Sequence, residues 1–323
     1  MLKRGIGLLV GIILLCDALL SPVRAADKIR TGAIGSASPL GWPFYIGMSK
    51  GFFAAEGLEF DIVYVQSAPN LLQQLSADSL DLAISSGLVD PIRAIVKGGP
   101  VALILIEVQA APYVLMGQPA IKTLAALRGK TVAVGGFNDI TNIYLDRMLA
   151  PSGMKRGDFD MKFFGSTPAR LAALQANAVD AAMLSQPGNF YAATAGYTNL
   201  GLVKDYVGEF PFSGSAVNRA WAEAHREDVR KLIAVYVKGV AWFRDPANRD
   251  EAIKIMVEAS QGRPEDVTKS YDFLRDGDFF AATGAVSKSK LTNLVKAMHD
   301  LGDIEDVPAI ERLVIPGLTQ ITE

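Results

Sequence analysis

The sequence predicts an α/β protein made of two doubly wound lobes. Three observations carry this. Strand-like and helix-like stretches alternate from residue 28 to residue 184, the order that gives a parallel sheet flanked by helices. That order starts again near residue 131, with residues repeated at a near-constant spacing. The chain also has 323 residues, half of them apolar, which is more than one core normally holds, since cores stop growing at roughly 250–300 residues.

The N-terminus comes before the fold proper. Lys3 and Arg4 precede an apolar run from Gly5 to Cys16, Pro22 breaks any helix, and Val23-Arg24-Ala25 fits a small-x-small cleavage pattern. Residues 1–25 are therefore expected to be a secretory signal cleaved near Ala25, placing the protein in the periplasm. The run is short for a membrane anchor, which needs about 20 apolar residues. Leu15, in front of Cys16, stands where lipidation wants a small residue. Without Lys3, Arg4, Asp17 and Arg24, the mature chain has 29 basic and 33 acidic residues and no cysteine. Disulfides and thiolate metal sites are excluded, no metal or cofactor is expected, and the charge argues against a nucleic-acid partner.

The first lobe reads as strand 28–34, a helix near 44–50, strand 60–65, helix 70–77, strand 80–85, helix 89–97 and strand 101–108. Ser67 is the expected N-cap of the second helix, with Pro69 in its first turn. The second lobe repeats the order with strand 131–134, helix 140–150, strand 160–164, helix 169–176 and strand 181–184. Residues 67–86 align with residues 166–185 at a spacing of 99, with eight identities in twenty positions. Among them are Ser67/Ser166, Pro69/Pro168, Asp81/Asp180 and Ser86/Ser185. Tyr45/Tyr144 and Asp61/Asp160 keep that spacing, while Thr31/Thr131, Ala33/Ala133 and Gly35/Gly135 match at 100. One lobe, not a solenoid unit, has this size. Beyond Ala220, Val229, Leu232, Tyr236 and Val240 make a helical stripe. Helices at 249–260, 264–274 and 288–301 follow, expected to pack back on the first lobe.

Gly41-Trp-Pro-Phe-Tyr-Ile-Gly-Met-Ser-Lys-Gly-Phe-Phe-Ala-Ala-Glu-Gly-Leu58, Asp81-Leu-Ala-Ile-Ser-Ser86 and Leu127-Arg-Gly-Lys-Thr-Val-Ala-Val-Gly135 together resemble the nitrate/sulfonate/taurine-type ABC solute-binding proteins, which include aliphatic-sulfonate and thiamine-pyrimidine-precursor binders. The resemblance covers residues 28–260. It implies a type II periplasmic binding fold with a two-segment hinge, near Gln109–Tyr113 and Phe210–Gly214. Lobe one would hold residues 27–110 and 218–323, and lobe two residues 111–217. The implied partners are a small-molecule solute and a permease–ATPase complex, with the binding protein itself a monomer. In the same pattern Phe212 or Ser213 touches ligand. Gly51 and Gly57 are expected to take backbone angles that other residues avoid, and Phe52 and Phe53 to lie in the core.

Ligands of open α/β sheets bind beyond the carboxyl ends of the strands, where helices begin. Here that means four loops, 35–46, 85–92, 135–146 and 185–191, none of which contains Lys, Arg or His. They offer Ser36, Ser38, Trp42, Tyr45, Ser85, Ser86, Phe137, Asn138, Thr141, Gln186 and Asn189 as candidate contacts, with Phe212 from the hinge. Such a lining suits a neutral or singly charged molecule with a ring or apolar part, unless Arg93, Arg147 or Arg170 reaches in. Asp90 and Asp139 are alternatives for a ligand amine. Ser86, Asn138 and Asp139 also have plain roles as helix caps.

Catalytic residues are not expected. A thiamine-pyrimidine-synthase-like enzyme of this fold uses its own histidine, iron and a cysteine-rich motif, whereas His225 and His299 here lie in the helical tail. Menaquinone-pathway-like enzymes share the shape without needing export. A ligand-binding partner of a sensor would have the same site as an importer's receptor.

Overall fold

The computed structural model describes residues 28–137, 139–207 and 210–323. The secretory segment expected at 1–25 and the candidate Asn138 lie outside these residues. The first part of the chain supplies β1 (Ile29–Ile34), α1 (Trp42–Ser49), α2 (Phe52–Ala55), β2 (Phe60–Val65), α3 (Ala68–Ser76), β3 (Leu82–Gly87), α4 (Val89–Val96) and β4 (Val101–Val108). The second supplies β5 (Val114–Gly117), β6 (Thr131–Val134), α5 (Ile140–Leu149), β7 (Asp160–Phe163), α6 (Thr167–Gln175), β8 (Ala181–Leu184), α7 (Gly188–Thr194), β9 (Thr198–Leu202) and α8 (Lys204–Val207). The chain then returns as β10 (Ser213–Asn218) and continues through α9 (Arg219–Ala224), α10 (Arg226–Arg244), α11 (Arg249–Ser260), α12 (Pro264–Asp276) and α13 (Lys288–Asp300).

Two five-stranded sheets result, ordered β2-β1-β3-β10-β4 and β7-β6-β8-β5-β9. The sequence suggested wholly parallel sheets, but each is mixed. β10 runs antiparallel to β3 and β4 in the first sheet, and β5 antiparallel to β8 and β9 in the second. These are the first strands laid down after the chain passes from one sheet to the other. Each enters from the opposite end and so runs against its neighbours. β5, β9 and β10 are short or rich in small residues, and no alternation of polar and apolar residues marks them as strands.

The duplication seen in the sequence is repeated contact by contact. Ser67 and Ser166 cap α3 and α6, their hydroxyls accepting from Asn70 N and Ala169 N. Asp78 and Asn177, 99 residues apart, close the following turns with φ of 58° and 55°, angles that Asp and Asn tolerate better than most residues. Asp81 Oδ2 accepts from Arg30 N at 2.8 Å, and Asp180 Oδ2 accepts from Thr131 N at 2.9 Å. In return, Asp81 N and Asp180 N donate to Arg30 O and Thr131 O. Each aspartate therefore staples the start of its lobe's third parallel strand to its first. The first strands are related by 101 positions rather than 100, because Arg30 pairs with Asp61 and Thr131 with Asp160. A one-residue slip turns side chains to the opposite face, so the identities at spacing 100 are not structural equivalents.

The tail packs on the first lobe as expected. α10 buries Val229, Leu232, Tyr236 and Val240. Gly239 lets it approach α1 closely: a Cβ there would lie 2.4 Å from Pro43 O. Phe53 is buried against Phe44 and Phe60, and Gly51 and Gly57 have φ of 69° and 76°.

Asp81 is 3% exposed and also holds the Arg30 guanidinium, whereas the Asp180 side chain is a third exposed. Asp81→Ala is expected to cost about 2–3 kcal/mol, as for a buried charged hydrogen bond. Asp180→Ala should cost visibly less, the two being compared by urea denaturation.

Candidate functional site

The chain passes between the sheets at 109–113 and returns through Phe210–Phe212, and these crossings lie side by side. Phe212 N donates to Val108 O at 2.9 Å and Leu88 N to Phe212 O at 3.2 Å. The Tyr113 ring meets Phe212 edge-on with centroids 5.4 Å apart, and Tyr144 lies 6.2 Å from Tyr113. Gln186 Nε2 donates to Pro112 O at 2.9 Å, which fixes the loop after β8 against the first crossing.

In the first lobe, β3 is bent at Ser85, where the pairing with β10 shifts register and whose φ of 51° is left-handed. This costs energy for a residue with a side chain, and Glu107 on β4 holds it. The Glu107 carboxylate accepts from Ser85 N at 3.1 Å and Ser85 Oγ at 2.7 Å, and from Ser215 Oγ on β10 at 2.5 Å. Glu107 is 1% exposed, and burial pushes its carboxyl above the ordinary glutamate value, against the pull of those three donors. Ser85 also faces Gly41 and Tyr45: a Cβ on Gly41 would sit 2.9 Å from Ser85 Oγ and 3.1 Å from the Tyr45 ring.

In the second lobe, the loop between β6 and α5 is an internally bonded turn. Thr141 Oγ1 accepts from Gly135 N at 2.8 Å, and the Thr141 hydroxyl and amide both donate to Asp139 Oδ1. The buried Arg170 on α6 donates to Met183 O, Phe164 O and Thr167 Oγ1 at 2.6–3.0 Å, and its guanidinium lies 5.8 Å from the Tyr113 ring. Burial raises the phenols of Tyr113 and Tyr144; at Tyr113 the Arg170 guanidinium pulls the other way and the negative charge of Asp139 adds a smaller rise, while at Tyr144 Tyr113 and then Asp139 add to it. The same charge crosses the lobe boundary. Asp90, at the start of α4, is held above the ordinary aspartate value first by burial and then by Asp139, while Arg93 pulls it down.

One tail helix also reaches across. α12 packs beside the short 3-10 turn Pro39–Gly41 of the first lobe. It also brings Phe273 to within 6.0 Å of the Phe190 ring and the Arg263 guanidinium to within 5.0 Å of the Tyr191 ring, both on α7. Lys204 Nζ donates to Gly277 O, just past α12, at 2.5 Å.

The sequence-derived candidates fall into distinct groups. Trp42 is a correction. It is fully buried between α10, α11 and α12, with rings of Phe243 and Tyr271 at 5.4 and 5.5 Å and its indole N–H donating to Ala252 O. α1 is buried nearly all round, so the sequence does not reveal which face its indole takes. Thr141 shapes its own loop, Ser86 Oγ donates to the adjacent Gly87 O, and Ser38 caps the 3-10 turn. Ser36 is exposed, and Phe137 is 77% exposed, its ring edge-on to Phe163 at 5.8 Å. Tyr45 is buried beside Ser85, its hydroxyl 3.2 Å from that of Tyr64. Gln186 and Phe212 gather with Tyr113 and Tyr144 around the crossings, and Asn189 stands in the first turn of α7. Gln186 Oε1, Asn189 Oδ1, Tyr144 OH and Ser213 Oγ are each buried without a hydrogen-bond partner. Sequence reasoning missed Glu107, Tyr113, Tyr144 and the buried role of Arg170. Only Tyr144 had a signal, as the duplicate of Tyr45.

The model of the NMT1/THI5-like family matches residues 39–249, well over half of the chain. The riboflavin-binding protein RibY of Chloroflexus aurantiacus is 26% identical over 225 residues, 67% of this chain and 62% of that protein. The chain thus spans less than two thirds of this relative's length. Among solved structures, the periplasmic aliphatic sulphonate binding protein SsuA of Escherichia coli superposes with a TM-score of 0.74 at 19% identity, covering 92% of this chain and 94% of that one. The desulfurization enzyme DSZB superposes with a TM-score of 0.67 at 12% identity, covering 90% and 97%. These likenesses establish a two-lobed periplasmic binding fold.

Two outcomes are expected from the site's architecture. Trp42→Ala should lower unfolding free energy by about 3–5 kcal/mol, the cost of emptying a core aromatic site, measured by urea denaturation. Because Glu107 binds its proton more tightly folded than unfolded, its contribution to stability is greatest below the ordinary glutamate range. That contribution is lost as pH rises through that range towards the folded value. Stability relative to Glu107→Gln should therefore shift in the variant's favour as pH rises through and above the ordinary glutamate range, followed by urea titrations at each pH.

Proposed function

The chain belongs to the NMT1/THI5-like family, and from that premise we propose that it is a periplasmic solute-binding protein. It captures a small organic molecule between its lobes and delivers it to an ABC permease and ATPase. The observation that carries this reading is the pair of adjacent crossings. Two sheets linked by two neighbouring segments rotate about one axis, and the loops beyond both sets of strand ends meet when they close. Solute contacts made to both lobes favour the closed state in proportion to the difference in affinity. Ser85, Tyr45, Gln186, Asn189 and Phe212 are the residues this reading assigns to the solute. The names of RibY and SsuA support a receptor role, with ring-bearing or sulfonated solutes as the range to test.

In this reading the protein is exported with residues 1–25 removed, acts as a monomer and performs no chemistry. The enzyme alternative draws on the likeness to DSZB. Against it, Arg170 is committed to carbonyls, and Glu107, the carboxylate that the Ser85 and Ser215 hydroxyls bond, is 1% exposed.

Thermal unfolding of the purified protein against alkyl and aryl sulfonates, aromatic carboxylates, pyrimidines, flavins, nitrate and amino acids tests the proposal. A solute at about a hundred times its Kd should add roughly 2.7 kcal/mol. The reading is abandoned if refolded protein, freed of any copurified molecule, responds to no class while turning one of them over.

A further inference from the structure

Two oxygens on α5 are buried and unpaired one helical turn apart. Asn142 is 2% exposed. Its amide nitrogen donates to Gly136 O at 2.8 Å and to Phe137 O at 2.5 Å, so both its N–H bonds are committed and α5 is tied to the loop that follows β6. Those carbonyls also fix which way the amide faces, because an oxygen in the nitrogen's place would meet two more acceptors. Asn142 Oδ1 is left buried with no hydrogen-bond partner among the described residues. Asp146 follows four positions on, on the same helix face, and helix side chains lean towards the preceding turn. Arg156 Nε donates to Asp146 Oδ2 at 2.8 Å, while Asp146 Oδ1 is also buried without a partner among the described residues. Two buried acceptors with no donor between them are costly. A proton on Asp146 Oδ1 removes both deficits at once, since the acid donates and the amide oxygen accepts.

We propose that Asn142 is a positioning residue for the loop between β6 and α5, and that Asp146 switches its grip: neutral Asp146 donates to Asn142 Oδ1 and pins the loop, and ionised Asp146 releases it. The switch holds whatever solute the protein carries. The segment it pins is the one that presents the exposed Phe137 ring. Burial favours the neutral acid and raises the Asp146 carboxyl above the ordinary aspartate value, while Arg156 and then Arg147 pull it down. Among the other elements packed on α5, the 3-10 turn Leu124–Leu127 has no titratable group. On α8, Lys204 is bonded to Gly277 O, and Asp205 and Tyr206 are exposed. With the folded value raised, the extra bond is fully present below the ordinary aspartate range and is lost as pH rises through the folded value.

Hydrogen exchange at the amides of Gly135, Asp139 and Asn142 tests this in wild type, Asp146→Asn and Asp146→Leu. Exchange is read as protection factors, which divide out its intrinsic pH dependence, and the Asp146 carboxyl is titrated by carbon-13 NMR. Asparagine at 146 keeps an oxygen for Arg156 and offers Asn142 Oδ1 a permanent N–H donor. Leucine, of similar size, offers none. Below the Asp146 titration, wild type and Asp146→Asn should be protected about 2- to 12-fold more than Asp146→Leu, the worth of one hydrogen bond. Above it, wild type should fall to the Asp146→Leu level while Asp146→Asn stays high. Asp139, the carboxylate of the loop itself, titrates in all three proteins and cancels in the ratios. Should leucine prevent folding, convergence of wild type with Asp146→Asn at low pH and divergence at high pH decide the matter alone. Equal protection in Asp146→Asn and Asp146→Leu would overturn the proposal. So would a wild-type excess that does not change across the titration, the result expected of a buried water bridging the two oxygens. A carboxyl that titrates at or below the ordinary aspartate value would overturn it as well.

Discussion

The Glu107 carboxylate joins three strands of the first sheet at the point where the chain leaves it. It binds the amide and hydroxyl of Ser85 on β3 and the hydroxyl of Ser215 on β10. The same residue's carbonyl accepts from Tyr236 OH on α10 and from Ala281 N in the tail. Val108, the next residue, is where the returning crossing pairs. A buried carboxylate is tolerable only with its oxygens engaged, and here each oxygen has a serine hydroxyl donor. The left-handed Ser85, the register of β10 and the start of the hinge therefore share one anchor. Loss of any one of these donors would leave the others to hold a charge that burial already disfavours.

Much of this was legible in the sequence because duplication writes itself twice. Ser67 and Ser166, Asp81 and Asp180, and Asp78 and Asn177 recur because each lobe needs the same cap, the same strand staple and the same left-handed turn. What the sequence hid were features that depend on the two lobes being assembled. β5 and β10 are recognisable only once each has entered the other sheet. Glu107 reads as one residue in an apolar strand until β10 brings Ser215 beside it. Tyr113 gains meaning from Phe212, nearly a hundred residues away in sequence. Trp42 misled for the opposite reason: it sits in a sequence that marks a ligand loop, but three tail helices claim its indole.

The interior of the site is polar, and the buried Arg170 within it is held by two carbonyls and a hydroxyl. Hydroxyls, amides and phenols are held by short loops whose own hydrogen bonds, such as those of Thr141 and Asp139, keep the backbone rigid. Preorganisation of this kind lowers the cost of ordering groups when a molecule binds. It also explains why several loop side chains that look like contacts in the sequence face their own backbone instead.

α12 belongs by connectivity to the tail packed on the first lobe, yet Phe273 and Arg263 rest on α7 of the second. In the receptor reading, opening the lobes breaks an edge-to-face ring pair and a cation–π contact, together about 1–2.5 kcal/mol, besides the Lys204–Gly277 hydrogen bond. That energy belongs to the closed form whether or not a solute is present. It therefore multiplies every solute's apparent affinity by the same factor, roughly 5 to 60, without altering the ranking among solutes. Affinity and selectivity would then be set in different parts of the chain. Substitutions along α12 could retune the receptor to a scarcer or more abundant supply while the pocket itself stayed unchanged.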